Sequence, residues 1–239
     1  MSFCDILRQK SEDNFANRSP IIAFLGDSVT QGCFEVYEEQ GGIKTVFDSC
    51  SGYPEKVKQI LSSLYPTAPV SVVNLGINGG CAKEGAQRFE RDVSSCNPDL
   101  LIVGFGLNDS NAEENGIQEY QDSLRTIFQK ARNAKIETVF LTPNMFNTYT
   151  GRSVSGGICT QLAGIFAERQ KSGLFDRYIE AARQVCSEER VKVCDCYKIW
   201  KQLYASGADT TALLSNGLNH PIREIHTIMA WEIVKTILE

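Results

Sequence analysis

The sequence has no block of lysines and arginines. Its 24 basic residues are scattered and are outnumbered by 29 Asp and Glu, for a net charge of −5 over 239 residues. The attraction to phosphate backbones on which nucleic-acid binding depends is therefore missing. Long apolar runs are absent too. No stretch of 18 apolar residues occurs, and the opening MSFCDILRQKSEDNF carries acidic side chains in place of a signal peptide's apolar core. The expectation is a soluble, cytoplasmic protein acting on a small molecule, with no nucleic-acid or membrane partner. There is no internal repeat and no low-complexity tract. A hydrophobic content of 42% is enough for one large core, so a single domain over residues 1–239 is expected. The chain also lacks a P-loop lysine, the G-x-G-x-x-G order of dinucleotide sites and the G-x-S-x-G of the usual nucleophile elbow.

Cysteine, by contrast, is plentiful. The nine thiols (Cys4, Cys33, Cys50, Cys81, Cys96, Cys159, Cys186, Cys194, Cys196) are odd in number and scattered, which argues against a secreted disulfide framework. Cys194 and Cys196 lie two apart, but a zinc site needs further Cys or His ligands with their own spacing, and none follows. They read as small core or surface residues, and no metal is expected.

Apolar, β-branched runs alternate with amphipathic segments. Strands are expected at 21–25, 70–75, 100–105, 138–141 and 191–194, with helices at 55–64, 82–95, 117–134, 159–186 and 223–238. Strand and helix in alternation predict a parallel sheet covered on both faces. Ligands of such sheets collect beyond the carboxyl ends of the strands. One long irregular segment, 33–53, reads either as a binding loop or as a solvated acidic excursion.

The strand ends carry the chemistry. The first delivers Gly26-Asp27-Ser28, ordinary turn residues when taken alone. The second ends in NLGINGG, from Asn74 to Gly80, whose backbone N–H groups suit a tight turn or an anion cradle. The third ends in GFGLNDS, with Asn108 at the same rim. Both histidines lie in NGLNHPIREIHTIMAWEIV. Pro221 suits a first helical position, which leaves His220 in the preceding loop, free to point across the rim. His226 falls on the side of Ile222, Met229 and Ile233, as a packed, hydrogen-bonded histidine would.

Taken together and in order, GDSVTQG, NLGINGG, GLNDS and NHPIREIH resemble the four blocks of the SGNH hydrolases, the GDSL esterase/lipase family, from about Ile21 to the C-terminus. The resemblance implies a three-layer α/β/α, flavodoxin-like fold with a central parallel five-stranded sheet. It makes Ser28 the nucleophile and His220 the general base. The backbone N–H groups of Ser28 and Gly79 and the side chain of Asn108 become an oxyanion hole. The chemistry requires this pairing, because a serine hydroxyl is a poor nucleophile at neutral pH and an imidazole is the side chain best suited to activate it. No cofactor is implied.

One position departs from the family pattern. Where the family has an aspartate three residues before the histidine, this chain has Gly217. A backbone carbonyl, Asn216 one step further back, or a remote carboxylate is left to orient His220; Asp209 is too distant in sequence to assign. The GCFE after the nucleophile block and the NHP form of the last block resemble a carbohydrate-esterase-like branch. A short acyl ester, acetyl foremost and borne on a sugar, is therefore the expected substrate. Two alternatives are an acyl thioesterase or lysophospholipase of the same family, and a non-catalytic flavodoxin-like module holding an anion at NLGINGG. A coenzyme A thioesterase calls for a basic patch, and Lys56, Lys58 and Arg88 are too scattered to supply one.

Overall fold

The computed structural model describes residues 1–152, 154 and 156–239. In chain order the elements are α1 (Phe3–Glu12), β1 (Ile21–Gly26), α2 (Ser28–Gln31), β2 (Cys33–Glu39), β3 (Gly42–Phe47), α3 (Tyr53–Leu64), β4 (Ser71–Gly76) and α4 (Ala82–Gln87). They continue with β5 (Leu100–Gly104), α5 (Ile117–Asn133), β6 (Glu137–Leu141), α6 (Gly157–Lys171), α7 (Leu174–Glu189), β7 (Lys192–Cys194), α8 (Cys196–Ala205) and α9 (Arg223–Leu238).

Five strands form one parallel sheet in the order β4-β1-β5-β6-β7. Numbered within the sheet, that order is 2-1-3-4-5, the flavodoxin-like winding. Its chain direction reverses between β1 and β5, and ligands of such sheets bind in the crevice there. Every residue of β5 is buried, as are Ile22 to Gly26 of β1. Strands buried on both faces need the continuous apolar runs these segments carry. Helices α3 and α9 pack together with α1, while α5 packs against both α4 and α7, which gives the three layers. The buried apolar side chains join into a connected core cluster running from Phe3 to Ile237. Among the described residues, no helix is long and apolar enough to cross a membrane.

The five expected strands all form, each within one residue of its predicted bounds. The helices differ more. The segment expected as one helix over 159–186 is two, α6 and α7, parted at Gly173, whose φ of +74° breaks the helical path. The helix expected over 82–95 ends as α4 at Gln87, and a π-helical turn follows at Glu90–Ser94. Two short helices, α1 and α8, were not expected. Each carries a local signal, with Ser2 and Asp5 forming a capping box and Asp195 accepting the N–H of Lys198.

The segment 33–53 is not irregular. Strands β2 and β3 pair as an antiparallel hairpin whose turn runs through Gln40 and Gly41, both at positive φ (51° and 76°). That backbone twist matches flanking strands, and the QGG between two β-forming runs is its sequence mark.

Candidate active site

Ser28 is placed by the exit from β1. Asp27 turns the chain and caps α2, its Oδ1 accepting the Val29 N–H at 2.9 Å, so that Ser28 is the first helical residue. The helix is pressed onto the strand ends. A Cβ on Gly76 would lie 2.3 Å from the backbone nitrogen of Gln31, and one on Gly26 would lie 2.0 Å from Thr30 Oγ1. Only glycine lets α2 sit this close. Asp27 is buried, and burial raises its carboxyl to about 7 against the lowering effect of the N–H groups of Val29 and Thr30.

His220 arrives from the opposite end of the chain. It ends a tight loop held by Asn216, whose Oδ1 accepts the backbone N–H groups of Leu218 (2.9 Å), Asn219 (2.9 Å) and His220 (3.0 Å). Pro221 is not the first residue of a helix. It bridges to Leu214 in extended pairing, and α9 begins only at Arg223. The histidine nevertheless lies in the loop, as expected.

The imidazole spans two partners. Its Nε2 lies 3.0 Å from Ser28 Oγ, and its Nδ1 lies 3.0 Å from the carbonyl oxygen of Phe34 in β2. A carbonyl only accepts, so Nδ1 carries the hydrogen and Nε2 faces the serine hydroxyl with its lone pair. Of the three orienting groups left open by the sequence, the backbone carbonyl is the one in contact. Asn216 shapes the loop and does not touch the ring. Gly217 has φ +63°, a conformation that favours glycine, in the place where the family pattern has aspartate. Ser28 and His220 are 3% and 4% exposed. Burial pushes His220 down to about 4, outweighing the Phe34 carbonyl and the Glu35 carboxylate, both of which favour the charged ring.

The loops after β4 and β5 meet each other at the same end of the sheet. After β4, Gly79 is exposed at φ +78°, and a Cβ there would meet nothing within 4 Å. Asn108, after β5, donates from Nδ2 to the Gly80 carbonyl at 3.0 Å. Asp109 ties the same loops together, its Oδ1 accepting the Ala82 N–H at 2.9 Å, while its buried Oδ2 has no partner among the described residues and burial raises the carboxyl to about 7. An open cavity of about 360 Å³ begins on this side, with Gly79, Asn108, Lys83, Glu84, Asn111 and Glu119 in its wall. Ser28 and His220 do not line it.

His226 is fully buried, and its Nδ1 accepts the Tyr53 N–H at 3.0 Å, with the two rings stacked at 5.9 Å. It is the packed histidine expected from its helical face. Cys194 and Cys196 are both buried in the core. Sequence reasoning quoted the stretches that hold Phe34, Glu35 and Arg223 but assigned none of the three a role. Phe34 acts through its backbone, which leaves no side-chain mark, whereas Arg223 stands inside the NHPIREIH block and is legible as a charge at a helix start.

A parallel sheet wound in this order, with serine, histidine, glycine and asparagine at its carboxyl rim, defines a class of hydrolase, and the comparisons with known proteins agree. The sequence profile of the GDSL-like lipase/acylhydrolase family matches residues 24–228, and the chain belongs to that family. An acetylxylan esterase of Geobacillus stearothermophilus is 27% identical over 131 residues, a match spanning 51% of this chain and 58% of that protein. Among solved structures, a lipase/acylhydrolase from Enterococcus faecalis superposes with a TM-score of 0.68 at 20% identity, covering 91% of this chain and 95% of the other. A mutant of an acetyl-xylooligosaccharide esterase from Geobacillus stearothermophilus gives 0.66 at 22% identity, covering 91% and 94%. At these identities the structural matches bear on the fold.

Proposed function

We propose that this protein is a serine esterase that removes short acyl groups, acetyl foremost, from hydroxylated alcohols such as sugars. The observation that carries the reading is the buried imidazole bridging Ser28 Oγ and the Phe34 carbonyl, 3.0 Å from each. In the first step Ser28 Oγ attacks the ester carbonyl while its proton passes to His220 Nε2. Negative charge on the former carbonyl oxygen is met by the N–H groups of Ser28 and Gly79 and by Asn108 Nδ2. The bond from Nδ2 to Gly80 fixes the amide and leaves its second hydrogen for the oxyanion. Collapse of the intermediate expels the alcohol, which takes the proton from Nε2. Water then attacks the acyl-serine with His220 again as base, releasing the carboxylic acid and restoring the hydroxyl. The Phe34 carbonyl holds the tautomer through both halves.

The substrate class is supported by the cavity beside Gly79 and Asn108. Lys83, Glu84, Asn111 and Glu119 in its wall offer donors and acceptors to a polyhydroxylated alcohol, with Cys81, Ala112 and Tyr120 between them. The acetylxylan esterase relative points the same way. Hydrolysis of 4-nitrophenyl acetate and of acetylated xylooligosaccharides tests the proposal, with Ser28→Ala expected to lose at least about 10⁴-fold in kcat. Equal turnover by both proteins would favour the non-catalytic anion-binding module.

A further inference from the structure

The hairpin that supplies the Phe34 carbonyl is held at its base by one arginine. Arg223, three residues after His220, donates through Nη1 and Nη2 to Glu35 (2.6 and 3.2 Å) and through Nε to Asp48 (3.0 Å). Its guanidinium carbon also lies 4.2 Å from the centre of the Phe34 ring. Glu35 follows Phe34 on β2, and Asp48 follows β3, where it caps the next turn through Ser51 and donates its own N–H to the Gly32 carbonyl at 2.8 Å. Arg223 thus joins both feet of the hairpin to the start of α9. The pairs Phe34–His220 and Glu35–Arg223 are neighbouring rungs between the same two segments.

We propose that Arg223 is a positioning residue for the reaction: by fixing the hairpin base against α9 it holds the Phe34 carbonyl on His220 Nδ1, the task that an aspartate at position 217 performs in the family pattern. The inference rests on the Ser28–His220 reading above. Three observations distinguish this from an ordinary surface ion pair. The three side chains are between 31% and 41% exposed, a setting in which paired charges add little net stability, so the cluster is a weak device for stabilising the fold. The fork is used in full, with three nitrogens on two carboxylates, a geometry that lysine cannot reproduce. The group it locks is a main-chain carbonyl, which has no rotamer of its own and goes only where the strand goes.

The test reads the tautomer of His220 directly. The chain has only two histidines, and they are set up as opposite tautomers, since His226 Nδ1 accepts a hydrogen bond and His220 Nδ1 donates one. Nitrogen-15 histidine NMR on the wild-type protein is expected to report one ring protonated at Nδ1 and the other at Nε2. In Arg223→Met the Nδ1-protonated ring is expected to become a mixture. Turnover of 4-nitrophenyl acetate should fall in kcat by about 10²-fold, the scale of a 1 Å misplacement, with KM nearly unchanged. Arg223→Lys should recover only part of the loss. Glu35→Gln and Asp48→Asn should each move both readouts less but in the same direction, and they carry the test if Arg223→Met does not fold by circular dichroism. A variant that keeps the wild-type tautomer and a kcat within about two-fold overturns the proposal. Should the wild-type protein hydrolyse no ester, the reaction reading fails on its own, while the tautomer shift still decides the role of Arg223.

Discussion

His220, the proposed general base, is held neutral by its burial. Its burial moves proton uptake from about 6.5 down to about 4, and a general base is lost only when it is protonated. Activity, measured as kcat/KM against pH, should therefore stay on its plateau through pH 6 and fall only as the pH drops toward about 4; a limb near 6.5 would mean that the imidazole is more solvated than its surroundings imply. Asp27 has the opposite sign in its linkage to stability. Burial raises it from 3.8 to about 7, so between those values the folded chain keeps a proton that the unfolded chain has released, and stability declines as pH rises through that window. Asp27→Asn removes the titration and keeps an oxygen for the Val29 N–H. Its denaturation midpoint relative to wild type should rise between pH 4 and pH 8, and a constant difference would contradict the assignment. Asn108→Ala removes one proposed oxyanion donor and should cost about 10²–10³-fold in kcat with little change in KM. At this scale the residues proposed for the site, Ser28, His220, Gly79 and Asn108, all stand in motifs that the sequence displays. Which carbonyl meets His220 was not legible, because every residue has a carbonyl and only the fold chooses one; Asn216, another of the alternatives, turns its oxygen to the loop's own N–H groups.

Among the elements, β1 and β5 were legible to within a residue because both of their faces are buried and their apolar runs are unbroken, while β4, β6 and β7, with polar residues and partly exposed positions, were marked by their β-branched and apolar residues. The hairpin was not, since β3 and the outer part of β2 are exposed or half-buried and lack that run, and only the QGG turn marks them. The contact between α2 and β4 is equally invisible in sequence, although the glycine that permits it is printed there. Gly76→Ala would drive a Cβ into the backbone of Gln31. The expected result is a loss of about 1–3 kcal/mol in chemical denaturation, with a drop in kcat that exceeds what the lost stability explains, because α2 carries Ser28. A variant of wild-type stability and activity would show that the helix has room to give.

Across the whole molecule, the winding order decides where chemistry happens. The chain leaves β1 for β4 and returns past β1 to β5, so the loops after β1 and β5 flank the reversal, and Ser28 and Asn108 stand on its two sides. His220 closes the rim from near the far end of the sequence. Beside Asn108 lies a cavity with charged and amide groups in its wall, and the proposed function predicts selectivity: kcat/KM should fall steadily from acetyl to octanoyl nitrophenyl esters, and acetylated xylooligosaccharides should outcompete fatty esters, whereas a preference for long acyl chains would point to an apolar channel instead. The account as a whole depends on Ser28 being the one serine activated by His220. The most direct measurement is labelling with a fluorophosphonate, followed by mass spectrometry of the modified peptide in wild-type and His220→Ala protein. Attachment to Ser28 in the wild type, lost in the variant, is the predicted result; attachment to another residue with Ser28 untouched would contradict it.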